Sequence, residues 1–160
     1  MSVTSPVYAR NCEARRIDKD TAAEFLDRYH RFGDAKCRYR YGLFVKRRTS
    51  AAECTFEAGS LVAVAEFSNA RRWVKENGVT RSYEWIRYAS VEGVRIVGGM
   101  SKLLSLFASE VHPDDVMSYA DPDWGNGGNT YLKLGFVLEG EVCGDGWINL
   151  KFRKTFSGLK

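Results

Sequence analysis

The sequence predicts a single α/β domain spanning residues 1–160, with strands in excess over helices. Three observations carry this. A chain of 160 residues suits one domain on a prior of roughly 100–200 residues, and buries about 68–70% of its unfolded surface, so neither a metal nor a disulfide is needed to hold it. The apolar periodicity switches between two and 3.6 residues along the chain, giving short strands punctuated by helices. No apolar run approaches the roughly 20 residues of a membrane span, and the start MSVTSPVYAR lacks a hydrophobic signal core. A soluble, cytoplasmic protein with no membrane partner is expected. Cys12, Cys37, Cys54 and Cys143 show no CxxC spacing, which points to buried or inert thiols in place of zinc or disulfides.

The elements follow in order. Val7–Ile17 reads as a first strand. Asp18-Lys19-Asp20-Thr21 opens a helix, with Thr21 and Glu24 as a capping box. The helix runs to about His30, with Ala22, Phe25, Leu26 and Tyr29 on one face and Gly33 at its end. Arg38–Val45 alternates as a strand, Lys46–Ser60 is turn-like, and Leu61–Phe67 is a continuous apolar run suited to a central strand. Asn69–Asn77 reads as a short helix with Trp73 inward. Tyr83–Val91 is a strand with Trp85, Arg87 and Ala89 on one face and Glu84, Ile86 and Tyr88 on the other. An apolar helix follows Gly98-Gly99, striped by Leu103, Leu104, Leu106 and Phe107 and stopped at His112-Pro113-Asp114. Val116–Ala120 is a short strand. A Gly/Asn-rich loop leads to a short helix over Tyr131–Leu134, and Val137–Phe156 holds two strands around Gly144-Asp145-Gly146.

The net charge of +4 comes from 24 Lys/Arg against 20 Asp/Glu. The excess gathers in Arg28–Arg48, where Arg28, Arg31, Lys36, Arg38, Arg40, Lys46, Arg47 and Arg48 face a single acid, Asp34. Tyr29, Phe32, Tyr39, Tyr41 and Phe44 are interleaved with them. Cations for phosphates and rings for bases suit a nucleic-acid surface; a solvated face is the competing reading. DNA is the expected partner.

A strand, then Arg95-x-x-Gly98-Gly99, then a helix is an anion-binding arrangement. Glycines let backbone N–H groups converge, and the helix adds its positive end. The spacing is neither a Walker motif nor GxGxxG. A short strand and Tyr131-x-x-x-Gly135-Phe136 come some 30 residues later.

Together these resemble the two motifs of the GNAT superfamily, the GCN5-related N-acetyltransferases. Met100 stands where that family's first motif ends in a small residue. Glu84-x-x-Arg87, Gly98-Gly99-x-Ser101-Lys102-Leu103-Leu104 and Ser118-Tyr119-Ala120-Asp121 further resemble a phage-type, Mom-like subgroup that modifies adenine in DNA. The resemblance implies a mixed, mainly antiparallel central sheet, helices on both faces and a V-shaped cofactor cleft between the fourth and fifth strands.

It also implies roles. Arg95, Ile96, Gly98, Gly99, Ser101 and Lys102 would hold the pyrophosphate of acetyl-CoA or another acyl-CoA-like donor. Tyr131 would be the general acid, and Glu84 a base. Asp121, at a strand end, and His30 would complete the chemistry. Trp124 and Asn126 would contact substrate, and Trp124 or Tyr39 would stack on a flipped base. Asp121, His30 and Glu84 have the composition of a metal triad, but their spacing does not demand one, and no metal is expected. Three functions stay open: a phage- or prophage-encoded transferase acting on an exocyclic amine of a DNA base; an acetyl-CoA-dependent N-acetyltransferase of a small-molecule or protein amine; and a non-catalytic nucleic-acid-binding module.

Overall fold

The structure, a computed structural model, describes residues 6–51, 53–123 and 128–156. Its contacts group into two units, Met1–Phe67 with Arg87–Val111, and Ser68–Ile86 with His112–Lys160.

In the first unit, β1 (Val7–Tyr8), a 3-10 turn (Ala9–Asn11) and β2 (Cys12–Arg16) replace the single strand expected over Val7–Ile17. Helix α1 (Lys19–Tyr29) follows. Its cap is Asp18, whose carboxylate accepts from Thr21 N at 2.7 Å. The cap therefore sits three residues before the expected Thr21 box, because an aspartate at that position already satisfies an orphan N–H. The helix ends at Tyr29, ahead of Gly33, which serves the following turn by donating its N–H to His30 O.

Strands β3 (Tyr39–Val45) and β6 (Leu61–Phe67) match their expected spans, and β2, β3 and β6 pair antiparallel. The turn-like stretch between β3 and β6 contains a small hairpin, β4 (Thr49–Ala51) with β5 (Cys54–Phe56). Burial on both faces explains why β6 is apolar at every position but Glu66. Val64 packs into the α1 cluster of Ala22, Phe25, Leu26 and Ala89. Phe67 points to the other face and stacks on Phe107 with centroids 4.0 Å apart. Phe107 belongs to α2 (Gly99–Val111), which follows β9 (Ile96–Val97). Helices thus cover both faces of these strands.

The second unit holds β7 (Arg71–Lys75), the greater part of β8 (Gly78–Ser90), β10 (Asp115–Ala120), α3 (Asn129–Lys133), β11 (Val137–Gly144) and β12 (Trp147–Thr155). β10 pairs antiparallel with β12 and parallel with β8, and β11 pairs antiparallel with β12. Most ladders in the chain are antiparallel; β10–β8 and β1–β9 are parallel. A buried polar set ties the second unit. Asp115 accepts from Ser82 Oγ at 2.9 Å and from Arg153 Nη1, and Arg153 also reaches Glu139 at 2.7 Å.

The Asn69–Asn77 helix is not formed. Arg71–Lys75 is strand β7, paired with Gly78–Ser82, and Trp73 is 52% exposed instead of inward. The β-branched Val74, Val79 and Thr80 and the turn residues Asn77-Gly78 favour a hairpin, and the apolar residues are too few for a helical stripe.

Candidate functional site

In the first unit the Val97–Ser101 turn opens helix α2. Gly98 has φ +80°, a left-handed value that costs other residues roughly 1–2 kcal/mol. Gly99 is buried, and a Cβ there would lie 2.8 Å from both Ile96 Cγ2 and Tyr88 Oη. The first ladder bond of α2 runs from Lys102 N to Gly98 O at 3.0 Å. The N–H groups of Gly99, Met100 and Ser101 therefore precede the ladder, at the positive end of a 13-residue helix. Arg95 is exposed beside this turn, and Ile96 and Met100 are half-buried.

Lys102 has another task. Its Nζ donates to Ala9 O at 2.9 Å and to Cys12 O, pinning the 3-10 turn to α2. The expected phosphate role of Lys102 is thus corrected, because two carbonyls already take its ammonium. Backbone N–H groups remain to receive an anion. We expect Gly98→Ala to keep the fold, lower stability by about 1–2 kcal/mol through the strained φ, and shift Tm by a few degrees in thermal unfolding.

The second unit holds the polar chemistry. The β8–β10 ladder ends at Glu84–Met117. One residue on, Ser118 Oγ takes over, bonding Trp85 O at 3.0 Å and Tyr131 Oη at 2.8 Å. Ser118 is buried. A hydroxyl has one proton and a carbonyl only accepts. With the Ser118 proton on Trp85 O, Tyr131 donates to Ser118; with it turned to Tyr131, the phenol proton is released for another acceptor. The Tyr131 ring packs on Phe136, Phe152 and Trp85, with centroids 5.3, 5.5 and 6.0 Å away. This burial, followed by the nearby Glu84 charge, pushes its phenol above the ordinary tyrosine range, against the Ser118 hydroxyl. Tyr131 and Glu84 are thus brought together. Glu84 is fixed at its backbone, where its N–H donates to Ser68 Oγ and its carbonyl accepts from Ser68 N.

Other expected residues do structural work. Asp121 Oδ1 accepts from Asp123 N at 2.8 Å, closing the turn after β10. His30, in the first unit, caps α1 and accepts from Phe32 N on Nδ1 at 3.0 Å. Burial, then Arg87 and Arg31, push its imidazole down to about 4, so it is neutral at pH 7 with one ring nitrogen engaged. Trp124 and Asn126 lie outside the described residues. Among the described residues, no group of three or more His, Cys, Asp or Glu is placed to hold a metal, and no helix is long and apolar enough to cross a membrane.

The basic stretch does not form one patch. Arg28, Arg31, Lys36 and Arg38 lie before β3, and Lys46, Arg47 and Arg48 after it. Seven strand residues separate the groups, about 23 Å at 3.3 Å each. Arg40 is turned inward on β3, 3.8 Å from buried Glu66, so its expected nucleic-acid role is corrected. Tyr29 is half-buried against Phe25 and Tyr41 fully buried, and Tyr39 packs on Phe107. Arg15 covers Phe44. Strand alternation and helix burial, hidden in a charge count, remove these rings from use. The sequence reading assigned no role to Ser118. Its signal is a small hydroxyl directly after the apolar pair Val116-Met117 in a buried strand.

No family model and no curated protein matches the sequence. Solved structures do match the fold. NAA60 from Arabidopsis thaliana, in complex with acetyl-CoA, aligns with TM-score 0.68 at 12% identity, covering 92% of this chain and 99% of that one. Ribosomal-protein-S5-alanine acetyltransferase from Vibrio fischeri gives 0.59 at 13%, covering 99% and 100%. The spermidine/spermine N-acetyltransferase SpeG from Vibrio cholerae gives 0.58 at 11%, covering 92% and 94%.

Proposed function

The chain has the GNAT acetyltransferase fold, and from that premise we propose that it is an acyl-CoA-dependent N-acyltransferase acting on a primary amine of a protein or small molecule. The observation that carries this reading is the Gly98–Ser101 turn, whose N–H groups precede the α2 ladder at the positive end of the helix and suit a pyrophosphate. The structural neighbours add weight, since one is in complex with acetyl-CoA and others are named for acetylating an alanine of a ribosomal protein or a polyamine. Acyl-CoA supplies an activated thioester. Gly99, Met100 and Ser101 would hold its phosphates by backbone N–H, with Arg95 as an added cation.

Within the second unit, Tyr131, Ser118 and Glu84 make a proton-handling set. Acyl transfer from a thioester to an amine forms a C–N bond and breaks a C–S bond. The amine loses a proton, and the departing sulfur gains one. Tyr131 holds a proton at Oη that its buried setting keeps in place at neutral pH. The departing thiolate, conjugate base of a thiol of pKa about 8.5, is a weaker base than the phenolate, so the proton reaches sulfur as the C–S bond breaks, and a positioned acid lowers the barrier to that departure. When the Ser118 hydroxyl turns to Oη, it steadies the phenolate left behind. Glu84 carries the carboxylate that would take the amine proton.

Modification of an exocyclic amine on a DNA base, the Mom-like reading, rests on the motif resemblance and the exposed Lys46, Arg47 and Arg48. The inward Arg40 and the covered rings weaken it. One experiment separates the acceptors. The chain is incubated with acetyl-CoA and, in turn, a peptide with a free N-terminus, spermidine and an adenine-containing oligonucleotide, with thiol release and acceptor mass read together. Acetyl mass gain on the peptide or the polyamine is expected. Gain on the oligonucleotide alone favours base modification, and no thiol release with any acceptor contradicts the transferase reading.

A further inference from the structure

The β7–β8 ribbon stands open to solvent in the second unit. All residues of Arg71–Val79 are exposed, Trp73 at 52%, Val74 at 86% and Val79 at 55%. β10 joins β8 only from Ser82 on, so Arg71–Lys75 and Gly78–Arg81 pair with one another as a two-stranded arm off the main path of the sheet. Five residues at 3.3 Å make each strand about 17 Å long. Such an arm has little core of its own. Trp73 thus presents its indole to solvent on the arm.

Its register sorts the side chains. Arg71, Trp73 and Lys75 share one face, opposite Ser82, Thr80 and Gly78. The ring is thus flanked by two cations on a face otherwise lined by small groups. On the other face Arg72 stands directly opposite Arg81, and Val74 opposite Val79. Arg72 thus adds its cation to this face. The Arg81 guanidinium also donates to His112 O at 2.8 Å, which fixes its place at the base of the arm. The arm carries Arg71, Arg72, Lys75 and Arg81 against Glu76 alone.

We propose that this ribbon is a binding surface for single-stranded nucleic acid, with Trp73 stacking on an unpaired base and Arg71, Arg72 and Lys75 meeting phosphates. The chemistry selects this partner. A lipid surface needs one continuous apolar face, whereas alternation puts the indole on one face and the valines on the other. An acidic peptide satisfies the cations but offers the indole no regular stack of planar rings. A duplex hides its base faces. Single strands present both π-faces and regularly spaced charge, and base–aromatic stacking of this kind tolerates any sequence. The surface is made of residues other than Arg28–Arg48 and stands whether or not the transferase reading does.

The test is fluorescence anisotropy of a labelled oligothymidine of about 12 nucleotides, titrated with the full chain at several salt concentrations. Wild-type protein is expected to bind, with a negative salt slope. Trp73→Ala is expected to weaken binding by about fivefold or more. Arg71→Ala and Lys75→Ala are each expected to reduce the slope by about 0.7. These side chains are exposed, and thermal unfolding of each variant reports whether the fold persists. Absence of binding, unchanged affinity in Trp73→Ala, or tighter binding to a duplex of equal length overturns the proposal. So does binding to polyglutamate alone, or a loss confined to Arg47→Ala/Arg48→Ala with the ribbon variants at wild-type affinity.

Discussion

Tyr131→Phe is expected to lower the rate of acyl transfer by 10² to 10⁴, the usual worth of a positioned acid, while leaving the fold and acyl-CoA affinity close to wild type. The ring stays on Phe136, Phe152 and Trp85. Ser118 keeps Trp85 O as acceptor, so the lost hydroxyl costs only about 0.5–1.5 kcal/mol of stability. Steady-state kinetics with a reactive amine acceptor checks this. Because the phenol is held above its ordinary range, wild type should show no loss of rate from deprotonation of Tyr131 below about pH 10. Ser118→Ala should raise the phenol further by removing a donor to the phenolate. A wild-type rate in Tyr131→Phe assigns the proton to another group.

Glu66→Gln is expected to stabilise the protein at pH 8. Glu66 is fully buried on β6, and burial together with the adjacent Asp34 pushes its carboxyl up to about 7. Arg40 Nε lies 3.8 Å from the carboxylate, so the cation offsets those two effects only in part. A carboxyl raised on folding adds stability in its protonated form. That contribution is full below the unfolded value near 4.5 and is lost as pH rises through 7. At pH 8 the wild-type interior carries a carboxylate that Arg40 offsets only in part, and the amide removes it, for a gain of at most about 3 kcal/mol. The corresponding rise in Tm is roughly 5–10 °C, shrinking toward pH 4.5. His30 runs the other way. Its imidazole is pushed down to about 4, so its contribution is present above about 6.5 and is lost as pH falls toward 4, in both proteins. A lower Tm for Glu66→Gln at pH 8 would identify Arg40–Glu66 as a true ion pair.

The contrast between these residues shows what sequence reveals. Leu61–Phe67 was legible as a strand buried on both faces, because every residue is apolar except Glu66. The Gly98-Gly99 turn was legible because a left-handed φ and a crowded Cβ both demand glycine. Tyr131 was found by its spacing to Gly135-Phe136. Lys102 could not be placed, since its partners Ala9 and Cys12 are about 90 positions away and offer only backbone carbonyls. The ribbon was misread because Arg71–Lys75 carries neither strict alternation nor a helical stripe. Its strand state comes from pairing with Gly78–Ser82. Charge counting over Arg28–Arg48 missed that β3 runs through the middle of the stretch and turns Arg40 inward.

The central claim is that the Gly98–Ser101 turn receives the phosphates of an acyl-CoA. Isothermal titration of acetyl-CoA into the wild-type chain and into Gly98→Ala measures this directly. Saturable one-to-one binding is expected, weakened about tenfold in the variant, as a reoriented turn worth about 1–2 kcal/mol requires. Absence of binding to wild-type protein, or equal affinity in a folded Gly98→Ala, would contradict it.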